Sequence, residues 1–150
     1  QLLHQTGDRS FDETIVKYNN LGISLNQSCR VLPFIEEISH AYAWADIVIS
    51  RSGASTVSEL AAVGLPSILI PYPHHSDNQQ LLNAKWLVDE RAAILVLQSD
   101  FNVQNLKDIL QPLMEDRTKL SEMAENARRM GIRDATKKIA AFCIKVSHDK

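Results

Sequence analysis

Apolar residues come in two rhythms along this chain. Short, nearly continuous apolar runs recur at 2–5, 29–34, 46–50, 67–71 and 93–97. The runs "IVIS", "SILIP" and "AILVL" show no clean alternation, which suits parallel strands covered on both faces. Between them the apolar positions repeat at helical spacing, predicting helices over 12–20, 38–45, 56–63 and 78–90. Two or three more follow, near 103–115, 117–130 and 134–146. In the segment "FIEEISHAYAWADIVIS", Ile38, Ala41, Tyr42 and Ala45 fall on one helical face and are expected to pack inward. Strand–helix alternation of this kind predicts an α/β fold with a doubly wound parallel sheet.

That fold directs attention to the carboxyl ends of the strands, where open α/β sheets take their ligands. Four stretches qualify: 4–7, 34–37, 50–59 and 71–83. The third, "SRSGASTVSEL", crowds Ser52, Gly53, Ser55, Thr56 and Ser58 between a strand and a helix. A helix starting there would turn its first amides outward, a site suited to a diphosphate. A second reading is equally open. Thr56-x-x-Glu59 matches a capping box, with the threonine capping and the glutamate reaching back. If Glu59 serves a ligand, repulsion keeps it from a phosphate and suits it to sugar hydroxyls, as with an acidic residue on a ribose.

The fourth stretch, "PYPHHSDNQQLLNA", opens on a proline-stiffened loop in which Asp77 or Asn78 could cap the next helix. Gln79, Gln80 and Asn83 then share one helical face. Carboxamides both donate and accept, as sugar hydroxyls require, although plain surface amides explain them as well. His74, His75 and Asp77 make a poor metal set, because adjacent histidines point badly at one ion, and no metal or cofactor is expected. Phe34 and Ile35 either pack or offer an apolar surface to a flat base, with backbone groups reading its edge.

Composition narrows the field. The 150 residues are 45% hydrophobic and 23% charged, with a formal net charge of −2, an ordinary globular profile that disfavours nucleic acid as a partner. A chain of this length buries roughly 70% of its unfolded surface, enough for a core. Cys29 and Cys143 lack metal-type spacing and are expected to be buried thiols. No apolar run reaches the ~18 residues of a membrane span. The sequence contains no nucleophile elbow, Walker loop, dinucleotide fingerprint or zinc-protease motif. Arg128, Arg129, Arg133, Lys137 and Lys138 read as a solvated face, with attraction to an acidic membrane surface as the weaker option. His40 and His148 are expected to face solvent. The chain opens on Gln1 and runs straight into an apolar stretch, which reads as the continuation of something longer.

The stretch "ADIVISRSGASTVSELAAVGLPSILIPYPHHSDNQQLLNA", together with "HQTG" and "FIEEISHAYAWAD", resembles the signature region of the MurG family, the family 28 N-acetylglucosaminyltransferases. The resemblance implies the UDP-sugar-binding carboxyl-terminal domain of a two-domain GT-B enzyme. That enzyme would move N-acetylglucosamine from UDP-GlcNAc to lipid I, giving lipid II in peptidoglycan synthesis, as a peripheral protein on the cytoplasmic face of the bacterial inner membrane. Carried over by motif, the backbone of Ile35 would meet the uracil. Arg51, Ser52 and Gly53 with Ala54, Ser55, Thr56, Val57, Ser58 and Glu59 would form the donor loop and helix start, with Glu59 on the ribose hydroxyls. Gln79 and Gln80 would meet the N-acetylglucosamine hydroxyls, with Asn83 nearby.

The family's first donor-domain strand and its Gly-Gly-Ser loop have no counterpart here, nor has the amino-terminal domain with the lipid I acceptor site and presumed catalytic histidine. The sheet is therefore expected to be incomplete at its amino-terminal end, with a vacancy where that strand belongs in the order 3-2-1-4-5-6. A catalytically incompetent, poorly stable fragment is the expectation, with no catalytic residue in this chain. A stand-alone nucleotide-sugar-binding subunit that needs a membrane-bound partner is the alternative.

Overall fold

The computed structural model describes residues 1–74 and 77–148. The chain divides into two compact units, Gln1–Trp44 and Ala45–Lys150.

The first unit is a βαβα segment. Strand β1 (Leu2–Gln5) pairs in parallel with β2 (Cys29–Leu32), joined through α1 (Phe11–Asn20) and followed by α2 (Ile38–Trp44). The pairing outlasts the strands. Thr6 N–H donates to Leu32 O at 3.0 Å and Gly7 N–H to Pro33 O at 3.0 Å, so the end of β1 is laced to the chain leaving β2. Val31 is the one buried apolar side chain among this unit's described residues. Helix α2 buries none of its residues, and Ile38 is 41% exposed, so the inward face expected of it is at best half-covered. Behind β1, His4 Nδ1 lies 3.2 Å from the Tyr18 hydroxyl, and burial, with Cys29 second, raises the Tyr18 pKa.

The second unit carries the core. Strands β3 (Val48–Ser50), β4 (Ser67–Leu69) and β5 (Ala93–Leu95) form a parallel sheet with β4 central. All three residues of β4 are buried, as both-faces-covered parallel strands require. Helices α3 (Ala54–Val63) and α4 (Gln79–Val88) make the crossovers, and α5 (Val103–Glu115), α6 (Arg117–Met130) and α7 (Ala135–His148) follow. Ile68, Ile70 and Val96 pack with Leu106, Ile109 and Leu110 of α5. Leu60 and Ala61 of α3 and Leu87 of α4 are fully buried as well.

Local chemistry sets the element ends. Helix α3 stops at Gly64, which takes the left-handed conformation (φ 72°) that glycine adopts without a Cβ penalty. Gly64 N–H and Leu65 N–H both donate to Leu60 O, closing the helix before Pro66. Asn102 caps α5 by accepting from Asn105 N–H, and Asp116 caps α6 by accepting from Thr118 N–H. The Thr118 hydroxyl and amide together hold the Asp116 carboxyl below its ordinary range.

Five strands were expected in one sheet; among the described residues they pair as two, β1-β2 and β3-β4-β5. The strands are also shorter than their apolar runs, because residues such as Ile70 and Val96 make one further ladder bond and then turn into loops.

Cys29 is half-buried, but Cys143 is exposed, contrary to expectation. It sits on α7, where Ile139 (63% exposed) and Phe142 (67% exposed) also face solvent, so helical spacing there does not correspond to burial. Among the described residues, no helix is long and apolar enough to cross a membrane.

Candidate functional site at the carboxyl ends of the strands

The second unit brings together the loop after β3 and the loop after β4. Helix α3 starts at Ala54, with Gly53 as its N-cap in extended conformation (ψ 149°) and no side-chain cap. The first helical bond runs from Val57 N–H to Gly53 O at 3.0 Å. The amides of Ala54, Ser55 and Thr56 therefore have no acceptor within the helix, and they stand just past the carboxyl end of β3. This corrects the capping-box reading. A box needs its threonine outside the helix, whereas Thr56 is the third helical residue and Glu59 lies a turn further in. Both are inside α3, with Glu59 exposed and Thr56 half-buried.

Ser52 is fully buried, and its hydroxyl donates to Gln80 O at 2.7 Å. Asn83 Nδ2 donates back to Ser52 O at 3.1 Å. Gln80 also uses its side chain, whose Oε1 accepts from Tyr72 N–H at 2.9 Å. Arg51 reaches under the second loop, with Nη1 3.2 Å from both Ile70 O and Pro71 O and the guanidinium 5.8 Å from the Tyr72 ring centroid. These bonds tie the two loops into one rigid floor. They also sort the sequence-derived residues. Arg51, Ser52, Gln80 and Asn83 are engaged with backbone, while Gln79, Ser55 and Ser58 stand exposed. Val57 points into the core at 2% exposure.

The tie between Ser52 and Gln80 has a measurable cost of removal. Ser52→Ala removes the hydroxyl bond that joins the two loops, and a loss of about 1 kcal/mol is expected in urea melts.

At the head of α4, Asn78 takes a left-handed backbone (φ 51°) and makes no side-chain cap, while Asp77 Oδ1 accepts from Gln79 N–H at 3.3 Å. His75 and Ser76 fall outside the described residues, and with His75 the proposed set of His74, His75 and Asp77 does too. Among the described residues no cluster of three His, Cys, Asp or Glu side chains could hold a metal ion.

In the first unit, Phe34 is 64% exposed, so the packing reading does not hold for it, and Ile35 is half-buried. Both line an open hollow of about 530 Å³ together with Leu32, Ala41 and Trp44. Ile35 N–H is already bonded, donating to Gln5 Oε1 at 2.9 Å. Gln5, within "HQTG", carries no local signal of this bond, because its partner lies thirty residues away.

Residues 1–139 match the glycosyltransferase family 28 C-terminal domain. Two relatives carry the name UDP-N-acetylglucosamine–N-acetylmuramyl-(pentapeptide) pyrophosphoryl-undecaprenol N-acetylglucosamine transferase. The one from Halorhodospira halophila is 43% identical over 148 residues, covering 99% of this chain and 40% of the relative. The one from Shewanella frigidimarina is 46% identical over 140 residues, covering 93% and 38%. The chain thus spans about two fifths of their length. The crystal structure of Acinetobacter baumannii MurG superposes with a TM-score of 0.85 at 36% identity, over 95% of this chain and 42% of that one. The glycosyltransferase VinC, solved with dTDP, shares the fold, with a TM-score of 0.70 at 12% identity over 99% of this chain and 34% of its own.

Proposed function

This chain belongs to the glycosyltransferase family 28 C-terminal domain family, and on that premise we propose that it is the donor-binding part of an inverting transferase. The whole enzyme would carry N-acetylglucosamine from UDP-GlcNAc to lipid I, forming lipid II at the cytoplasmic face of the inner membrane, with the acceptor held by a separate domain. The observation that carries the reading is the uncapped start of α3: Gly53 leaves the amides of Ala54, Ser55 and Thr56 without helical acceptors at a strand's carboxyl end.

Each role follows from what a group can do. The α3 amides, with the Ser55 hydroxyl beside them, take the diphosphate. As the glycosidic bond breaks, UDP departs with added negative charge, and preorganised amides at a helix start stabilise that charge without a cation. Glu59, one turn along, accepts from the ribose hydroxyls. Gln79 and the amino group of Gln80 address the sugar hydroxyls, and the tie from Tyr72 N–H to Gln80 Oε1 leaves that amino group as the donor. Asn83 holds Ser52, and through it the donor loop. Arg51 acts in the same way on the loop after β4. Backbone groups of Ile35 read the uracil. Inversion means direct displacement by the acceptor hydroxyl, whose general base is not assigned within this chain.

Calorimetric titration tests the reading. UDP and UDP-GlcNAc are expected to bind with one site per chain, and GDP at least about tenfold more weakly, ~1.4 kcal/mol. Equal binding of UDP and GDP, or no heat from UDP at millimolar concentration, would overturn it.

A further inference from the structure

A single peptide unit joins Arg51 to Gln80. Where the chain leaves β4, Arg51 Nη1 donates to Ile70 O and to Pro71 O, each at 3.2 Å. The carbonyl of Pro71 and the amide of Tyr72 belong to one peptide, and that amide donates to Gln80 Oε1 at 2.9 Å. The peptide is trans, so its C=O and N–H point in opposite directions. Arg51 and Gln80 therefore hold it from opposite sides.

The arginine holds more than one point of this turn. Ile70 N–H is spent on Ser50 O at 2.9 Å and Pro71 has no N–H, which leaves the two carbonyls as the handles. The guanidinium also lies 5.8 Å from the Tyr72 ring centroid. Among the described residues no carboxylate forms an ion pair with Arg51, so its charge is directed at the carbonyls. A cation on a peptide oxygen polarises the whole unit and makes its N–H the stronger donor.

We propose that Arg51 is a positioning residue for the sugar of the donor: by holding the Pro71–Tyr72 peptide in one orientation, it fixes which end of the Gln80 carboxamide is spent inside the protein. The proposal rests on the reading of Gln80 given under the proposed function. An N–H must meet the carboxamide oxygen, which keeps the amino group for sugar hydroxyls. Without Arg51 the peptide can turn over and present its carbonyl instead. Gln80 would then spend its amino group on that carbonyl, and a hydroxyl placed to accept would meet an oxygen.

UDP and UDP-GlcNAc share base, ribose and diphosphate, so the ratio of their dissociation constants isolates the sugar. Arg51→Met keeps an apolar stem without the charge, and it should weaken UDP-GlcNAc about fivefold more than UDP, the size of one lost hydrogen bond. Gln80→Leu should move the ratio by itself. In that background Arg51→Met should add less than about 1.5-fold, because the group it positions is gone. A residue that only stabilised the loop would weaken both nucleotides together and leave the ratio unmoved.

Amide hydrogen exchange supplies a readout that needs no variant: Tyr72 N–H should be protected in the unmodified chain, although the residue is 44% exposed. A fast-exchanging Tyr72 amide, an unmoved ratio in Arg51→Met with UDP still bound, or an equal further shift in the double variant would overturn the proposal alone. Failure of the unmodified chain to bind UDP would instead sink the donor-site reading and this proposal with it.

Discussion

Glu59→Ala is expected to weaken UDP binding by about 100-fold while leaving the melting curve within ~1–2 kcal/mol of the unmodified chain. A hydrogen bond from a neutral ribose hydroxyl to a carboxylate is of the charge-assisted kind, worth about 1.5–3 kcal/mol, so the loss of one already reaches that size. The fold does not depend on the residue as a cap, because the N-cap position of α3 is Gly53 and Glu59 lies exposed within the helix. The check is a pair of titrations with UDP and 2′-deoxy-UDP. The unmodified chain should prefer UDP clearly, and the variant should bind both alike. A variant that binds UDP as well as its parent removes Glu59 from the ribose.

Gly131→Ala is expected to cost about 3 kcal/mol. Gly131 follows α6 where that helix crosses α3. A methyl there would stand 2.5 Å from Ala61 O and 2.9 Å from both Ala61 C and Ala62 Cα. These are backbone atoms of a helix whose Leu60 and Ala61 are fully buried, so they cannot step aside as a side-chain tip would. Overpacking of this kind typically costs about 1–3 kcal/mol, and contact with helix backbone puts the position at the upper end. Gly64 makes the useful contrast. Its added methyl would stand 2.0 Å from Arg128 Cγ, so that side chain would have to turn at its base, and the left-handed backbone penalises alanine further. The denaturant midpoint of Gly131→Ala should fall accordingly, and a midpoint equal to that of the unmodified chain would show that α6 can shift.

How much was legible in the sequence depended on the range of the interaction involved. Helices α1 to α6 and all five strands lie where apolar spacing puts them, since periodicity is a local record of burial. The start of α3 was placed within two residues, and that small error decided the chemistry. With Ser52, Ser55, Thr56 and Ser58 in one turn, several caps are possible on paper, and the one used is the glycine. The roles of Gln80 and Asn83 were only half visible. Their polarity was plain, but the backbone groups they hold, Tyr72 N–H and Ser52 O, are supplied by loops that meet only in three dimensions. Gln5 was missed for the same reason. Helix α7 shows the opposite failure: its apolar spacing is regular, yet residues 135–147 are exposed.

The double engagement of Gln80 bears on how donor preference could be re-engineered. Its carbonyl serves Ser52 and its carboxamide serves Tyr72. A library randomised at this position would select first for variants that keep the loop folded, and changes in sugar choice would be masked by losses in soluble protein. Gln79 is one residue away and exposed, with only its amide drawn into the Asp77 turn. Diversity placed there changes the outward surface at little cost to folding, which makes it the better site for a first round of directed evolution.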